Sequence, residues 1–296
     1  MTSKAAPGDV VVITGANSGI GRSVAVYLAT QGYKVYATVR DPAKADKLLA
    51  MAAAADTSLE LATMDIGDDD SVKTGMADIL ARAGRVDVLI NNAGVGGNAV
   101  LEECPVSLYE EVMNINVYGA VRCSQAVLPG MRERAKGAIV NITSIAGRLA
   151  ALAQQPYVAS KWAFEGVSEA LAQEVAPFGI RVVIVEPGVT KSAIFAKNVD
   201  APNQSGAYDA HYRRLFQFYA AGYVNATDPL EVGKIIEDAI TTDSPKLRYA
   251  CSWGGVEISE ARKVLNDESW VDMMTHESDA EYYDAFERNF NVDIRP

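Results

Sequence analysis

Val10-Val11-Val12-Ile13-Thr14-Gly15-Ala16-Asn17-Ser18-Gly19-Ile20-Gly21 is the stretch whose reading decides the fold. Its first four residues are β-branched and apolar without alternation, the pattern of a strand buried on both faces of a parallel sheet. The glycine-rich turn opens a helical pattern that runs through Tyr27 and Leu28 to Gly32. Strand, glycine-rich turn and helix in this order let main chain approach a pyrophosphate, with free N–H groups and partial positive charge at the helix start. The glycines fall as Gly-x-x-x-Gly-x-Gly, not Gly-x-Gly-x-x-Gly. An ordinary tight β–α turn has the same outline, so the rest of the chain must decide between them.

The alternation continues. Residues 34–39, 59–64, 86–90, 139–143, 181–185 and 247–251 read as further strands. Asp41-Pro42 caps and opens a helix, and Asp68-Asp69-Asp70 complements the dipole of the next. Residues 105–134 read as one long helix with Asn116 inside it, where an asparagine is ordinarily exposed or bonded locally. Residues 157–175 and 228–240 are helical by pattern. Strands alternating with helices predict an α/β fold: a right-handed, doubly wound parallel sheet of about seven strands with helices on both faces.

Two places carry chemistry. At the end of the second strand an acidic residue would accept from the ribose of NAD, whereas an arginine can pair with the 2′-phosphate of NADP. Val39 is neutral and Arg40 cationic, which favours NADP(H) and leaves NAD(H) possible; Asp41 beside Arg40 would partly oppose a phosphate. Further on, Tyr157 and Lys161 sit four apart after Pro156, on one face at the head of a helix. A phenol is a poor acid near neutrality, and a nearby ammonium favours its ionised form, so Lys161 is expected to lower the pKa of Tyr157. Ser144, at the end of the apolar run from Ala138 to Ile142, would add a hydroxyl from a strand end. Tyr-x-x-x-Lys is common as a solvated surface pair, and these three groups cannot carry a hydride. They gain meaning only from the nucleotide-binding half.

Composition narrows the field. Among 296 residues, 49% are hydrophobic and 22% charged, as in ordinary globular chains. A net charge of −11 argues against nucleic acid as a partner. Cys104, Cys123 and Cys251 form no Cys-x-x-Cys pair and suggest buried thiols in a reducing compartment. His211 and His276 belong to no metal-ligand cluster, so no metal is expected. The N-terminal residues offer no apolar stretch of signal-peptide or membrane-spanning length, and a cytoplasmic location is the expectation.

Together, Thr14-Gly15-x-x-x-Gly19-x-Gly21, Asn91-Asn92-Ala93-Gly94, Asn116, Ser144, Tyr157-x-x-x-Lys161 and Pro187-Gly188 resemble the short-chain dehydrogenase/reductase family in its compact single-domain form. The resemblance covers about residues 8 to 190 and implies a Rossmann fold. It implies Tyr157 as general acid or base and Ser144 as the group that orients the substrate oxygen. Lys161 would hold the nicotinamide ribose, and Asn116 a water that continues a proton relay. Gly15, Asn17, Ser18, Gly19, Ile20 and Gly21 would cradle the cofactor, with Asp65 and Ile66 at the adenine. Asn92, Ala93 and Gly94 would back it, and Pro187, Gly188 and Thr190 would meet the nicotinamide end. The family's common assemblies make a homo-oligomer the expectation, through the helices carrying Asn116 and Tyr157.

The expected product is an NAD(P)-dependent oxidoreductase for a ketone or secondary alcohol. A non-catalytic nucleotide-binding regulator, or an epimerase or dehydratase on the same fold, is the alternative. The chain reads as one domain, 1–296, with a substrate lid around 191–226 and an acidic helical extension around 254–296. Ile194, Phe195, Tyr208, Tyr212, Leu215, Phe216, Phe218, Tyr219 and Tyr223 make the lid aromatic. That suits a bulky apolar or aromatic substrate, or simply the packing of lid helices. His211 reads as a lid surface residue. No chemistry follows from the extension.

Overall fold

The computed structural model describes residues 4–192 and 202–296. Seven strands form one sheet in the order β3-β2-β1-β4-β5-β6-β7. They are β1 Val10–Ile13, β2 Lys34–Val39, β3 Glu60–Thr63, β4 Val88–Asn91, β5 Gly137–Ile142, β6 Ile180–Pro187 and β7 Arg248–Cys251. Every pairing is parallel. The order reverses between β1 and β4, and ligands of doubly wound sheets bind at such a switch point.

Alternate residues of β1 explain the two layers. Val11 and Ile13 pack with α1 (Gly19–Thr30), α2 (Asp46–Ala54) and α8 (Pro229–Thr241) on one face. Val10 and Val12 pack with α3 (Asp69–Ala83), α5 (Gly119–Glu133) and α6 (Gln155–Val175) on the other. Both faces are covered, so β1 and β6 are buried throughout, and β1 and the 182–185 stretch of β6 run apolar without alternation.

The expected single helix over 105–134 is corrected. α4 (Val106–Met113) and α5 are joined by a π-helical turn, Asn114–Tyr118. Asn116, expected to be exposed or locally bonded, is 1% exposed. Its amide reaches across to the loop after β4, and this draw on the backbone is what the extra residue in the turn accommodates. Asp41 does cap, but a short 3₁₀ turn, Pro42–Lys44, precedes α2.

After β6 and β7 the chain builds a third layer at the C-terminal ends of the strands. It comprises α7 (Asp209–Val224), α9 (Gly255–Arg262), α10 (Asp267–Asp272) and α11 (Asp279–Phe290). A separate apolar cluster joins Ile145 and Leu149 to Ala221, Ile258, Tyr282, Phe286 and Phe290. The acidic extension is therefore packed onto the end of the sheet, beside the loop that carries Ser144.

Candidate active site

One continuous cavity of about 890 Å³ runs along the C-terminal edge of the sheet. Its polar half is lined by Gly15, Asn17, Ser18, Gly19, Ile20, Arg40, Asp65, Ile66, Asn92, Ala93 and Gly94. Ser144, Tyr157, Lys161, Pro187, Gly188 and Thr190 line its middle. Gly21 and Asn116 stand behind this wall, not in it. A Cβ on Gly21 would lie 2.6 Å from the Gly15 carbonyl oxygen, and one on Gly94 would lie 3.2 Å from Asn116 Oδ1.

The polar half fits a dinucleotide. Gly15 has φ +67°, and a side chain there would press within 2.8 Å of the Ala93 backbone. Only glycine leaves the turn this close to β4. Thr14 Oγ1 accepts from the main-chain N–H groups of Asn92 and Ala93, both at 3.0 Å, and Asn92 Nδ2 donates to the Thr14 carbonyl at 2.8 Å. These bonds lock the turn to the loop after β4. Ser18 stands at the N-cap of α1 in an extended conformation and makes no side-chain cap, so the first N–H groups of α1 face the cavity. Asn17 Oδ1 and Thr38 Oγ1 are buried in the same wall without hydrogen-bond partners, as expected of groups shaped for a polar ligand.

At the mouth, Arg40 is exposed and Lys44 lines the cavity beside it. The Asp41 carboxylate accepts from the Ala43 N–H at 3.1 Å and pairs with Lys44 at 3.3 Å. Its opposition to an anion is thereby reduced. Lys44 is a cation that sequence reading passed over, because its partner Asp41 masks it in the pattern. Asp65 turns its own Oδ1 onto the Gly67 N–H at 3.0 Å, and Ile66 packs under Gly119.

Tyr157 enters from the first turn of α6, with Pro156 one residue earlier in that turn. The Ser144 hydroxyl accepts from the Ala146 N–H at 3.1 Å and lines the same stretch of cavity as the Tyr157 phenol. Ser144 lies two residues beyond β5 in extended backbone, so the strand delivers it to the cavity floor. Lys161, one turn along α6, is 5% exposed, and its Nζ donates to the Ile142 carbonyl at 3.0 Å. The ammonium stands 5.6 Å from the Tyr157 ring centroid.

The expected lowering of Tyr157 is corrected. Burial raises the phenol above its ordinary value, and the opposing influence is the hydrogen bond from Ser144. Burial likewise pulls Lys161 down to about 8, against an upward pull from Glu165. Loss of solvation is the largest influence on each group.

Asn116 bonds Val95 twice, Oδ1 accepting at 2.8 Å and Nδ2 donating at 2.9 Å, and Nδ2 also donates to Ser160 Oγ at 2.9 Å. Both amide protons are engaged, so the side chain ties α6 to the loop behind Gly94. Thr190 Oγ1 bonds Ser252 Oγ at 2.8 Å and pins the chain after Gly188 to the segment after β7.

Beyond Tyr157 the cavity becomes aromatic, lined by Leu215, Phe218 and Tyr219 of α7 and by Trp270, Tyr282 and Phe286 of the extension. Tyr208, Tyr212 and Phe216 instead pack with Val100 and Ala153, while Tyr223 is exposed. Lid aromatics thus divide between lining and packing. Ile194 and Phe195 lie outside the described residues. His211 is half-buried against Tyr208 and does not line the cavity. Gln154, Asn98 and Tyr219 form a polar knot near Tyr157, with the Tyr219 hydroxyl donating to Asn98 Oδ1 at 3.0 Å. No sequence pattern announced it, since its members lie on three separate segments. Cys123 and Cys251 are buried and Cys104, expected to be buried, is half-exposed; all three are unpaired.

A family model described as short chain dehydrogenase matches residues 9–203. The chain belongs to that family. It is accordingly an oxidoreductase. Among its relatives, the 17-beta-hydroxysteroid dehydrogenase type 1 of Mus musculus is 38% identical over 253 residues, 81% of this chain and 72% of the relative. A solved short-chain dehydrogenase from Streptomyces avermitilis superposes with TM-score 0.78 at 34% identity, covering 90% of this chain and 95% of the other. A metagenomic short-chain oxidoreductase solved in complex with NADP gives TM-score 0.67 at 26% identity, covering 82% and 96%. Family membership agrees with the glycine turn and with the joined Ser144, Tyr157 and Lys161. Among the described residues, no helix is long and apolar enough to cross a membrane, and no three His, Cys, Asp or Glu side chains group as a metal site.

Proposed function

We propose that the protein interconverts a ketone and a secondary alcohol bearing a bulky apolar or aromatic body, using NADP(H) in preference to NAD(H). One observation carries this reading: Ser144, Tyr157 and Lys161 line one cavity where its polar and aromatic halves meet. When bound, the nicotinamide supplies or accepts the hydride. Ser144 holds the substrate oxygen against the Tyr157 hydroxyl. In reduction the carbonyl carbon gains the hydride's electron pair and the oxygen takes the phenol proton; oxidation reverses both. Lys161 holds positive charge behind the phenol and steadies the phenolate as it forms. Gly15, Asn17, Ser18, Gly19, Ile20 and Gly21 shape the phosphate end, with Asp65, Ile66, Asn92, Ala93 and Gly94 along it. Pro187, Gly188 and Thr190 border the nicotinamide end. Asn116 keeps Val95 and α6 in register, and a relay water continuing from Lys161 would donate to one of its acceptor oxygens.

The NADP preference is supported by Arg40 and Lys44 at the cavity mouth and by the NADP complex of a relative. The apolar substrate is supported by Phe218, Trp270, Tyr282 and Phe286, and by the hydroxysteroid named for the mouse relative. Because α7 and the extension both line the cavity, we treat residues 1–296 as one working unit with the lid over its substrate half. Exposed Tyr118, Trp162 and Val167 on the π-turn and α6 support a homo-oligomer through those elements, and unpaired thiols support a cytoplasmic setting. The test is NADPH oxidation with a panel of ketones graded in apolar bulk. Turnover should rise in specificity constant with bulk; a panel that leaves NADPH unoxidised, with alcohols equally inert towards NADP, refutes the reading.

A further inference from the structure

We propose that the aromatic half of the cavity holds an oxygen-binding pole built from Arg214 and Tyr282, and that the substrate carries a second acceptor oxygen, a carboxylate best of all, remote from its reacting carbonyl. The inference rests on reading this half of the cavity as substrate space. It narrows the substrate from an apolar body to a bifunctional one.

A buried guanidinium is costly unless its donors find acceptors. Arg214 and Tyr282 both line the cavity, at 2% and 4% exposure. Arg214 Nε donates to Asp279 Oδ1 at 2.9 Å, and Nη2 donates to the carbonyls of His276 and Ser278 at 2.8 and 3.4 Å. The remaining nitrogen, Nη1, has Met274 Sδ at 3.7 Å as its partner among the described residues. A thioether is a weak acceptor and Nη1 carries two N–H groups, so its capacity to donate is largely unspent.

Tyr282 lies against this guanidinium, its ring centroid 4.6 Å from Arg214 Cζ. The ring packs on Tyr283 and Phe286, and the hydroxyl bonds to no group among the described residues. Burial holds the phenol well above its ordinary value, so it keeps a proton to donate. The Asp279 carboxylate is shared, with Oδ2 holding Arg213 at 3.0 Å and Oδ1 holding Arg214 at 2.9 Å. One negative charge thus faces two guanidiniums. The pole offers donors and positive charge in excess, which an acceptor oxygen fits and an anionic one fits best.

Helix α7 sets this pole apart from the reacting centre. Arg214, Leu215, Phe218 and Tyr219 of that helix all line the cavity. The Tyr219 hydroxyl donates to Asn98 Oδ1 at 3.0 Å and accepts from Gln154, which stands just ahead of Tyr157 at the start of α6. Arg214 precedes Tyr219 by more than one helical turn, about 7 Å along the axis. Phe218, Trp270 and Phe286 give the same half its apolar surface. A substrate held at Ser144 and Tyr157 would span that apolar surface before presenting its second oxygen.

The test is binding, read by isothermal titration calorimetry on the full chain. The probes are hexanophenone and the same molecule with its terminal methyl replaced by a carboxylate or by a methyl ester. A merely apolar cavity takes hexanophenone best, because a carboxylate loses more solvation there. The pole reverses that order: the carboxylate should bind about tenfold tighter than hexanophenone, with the ester between them. Tyr282→Phe keeps the ring and should shrink that advantage a few-fold, and Arg214→Gln should remove it. Shrinkage in either variant supports the site, so Tyr282→Phe suffices if Arg214→Gln does not fold. No carboxylate advantage in the wild type, no binding by any probe, or an advantage undiminished in every variant that folds overturns it. NADPH oxidation reports separately on the reaction. Turnover of hexanophenone without a carboxylate advantage keeps the ketone reading and sinks the second oxygen; a carboxylate advantage without turnover of any probe does the opposite.

Discussion

Tyr157 shows how burial and charge contend at a single residue. A phenol raised by burial keeps its proton at neutral pH, which is the form that reduction consumes. Tyr157→Phe keeps the ring and its packing but removes that proton. Turnover should fall by about 10²- to 10⁴-fold while NADPH affinity stays within a few-fold, measured by steady-state kinetics and fluorescence titration. Full retention of turnover would remove Tyr157 from the mechanism. Arg40 is a separate residue-scale case, exposed and flanked by Lys44. Arg40→Ala should weaken NADPH binding about tenfold and leave NADH nearly unchanged, since one charge-assisted pair is worth about 1.5–3 kcal/mol and Lys44 covers part of its loss. Equal effects on both cofactors would contradict the assignment.

At the scale of elements, the interrupted helix between residues 106 and 133 is the instructive piece. The run Asn114-Ile115-Asn116-Val117-Tyr118 is poor in strong helix formers, but weak propensity alone does not specify a π-turn there. The turn holds Asn116 against Val95 and Ser160, groups 21 and 44 residues away. Asn116→Leu has similar volume but strands the Val95 N–H and carbonyl. Stability should drop by about 1–3 kcal/mol in urea unfolding. Turnover of the folded variant should also fall, because the Gly94 loop and α6 lose their tie. A variant of unchanged stability would show that the bonds contribute little. The strands behave differently. β1 and the 182–185 stretch of β6 are legible from apolar β-branched runs, because two covered faces demand such residues there.

At the scale of the molecule, the C-terminal extension changes meaning. As sequence it is an acidic helical tail with scattered aromatics. In the fold, Arg214 of α7, 2% exposed, pairs with Asp279 at 2.9 Å, donates to the His276 carbonyl at 2.8 Å and stacks on Tyr282 at 4.6 Å. This clamp joins lid helix to extension around the aromatic half of the cavity. Arg214→Met should cost about 2–3 kcal/mol, less than breaking an isolated buried pair because Asp279 keeps Arg213. Hydrogen exchange should accelerate first in residues 267–290, and KM for a bulky ketone should rise while NADPH affinity holds. An unmoved KM would mean that the clamp stabilises without shaping the site.

The strand and glycine signals, the cofactor turn and the trio of Ser144, Tyr157 and Lys161 could be read from the chain. Each is a local matter: periodicity records which faces are covered, and one helical turn joins Tyr157 to Lys161. Lys44, Gln154 and Arg214 could not be assigned roles, because a charge or amide means little until its partner is known. Those partners lie on other elements, brought together by packing.

The alternation of apolar strands with helices, together with the glycine turn after Val10, already determined a doubly wound sheet, since backbone sterics and strand burial act over a few residues. Tertiary structure alone decided that burial raises the Tyr157 phenol, that a π-turn breaks the helix at Asn116, and that the tail walls the aromatic half of the cavity. Solvation and ion pairing depend on what fills the surrounding few ångströms, and that is fixed only once distant segments meet.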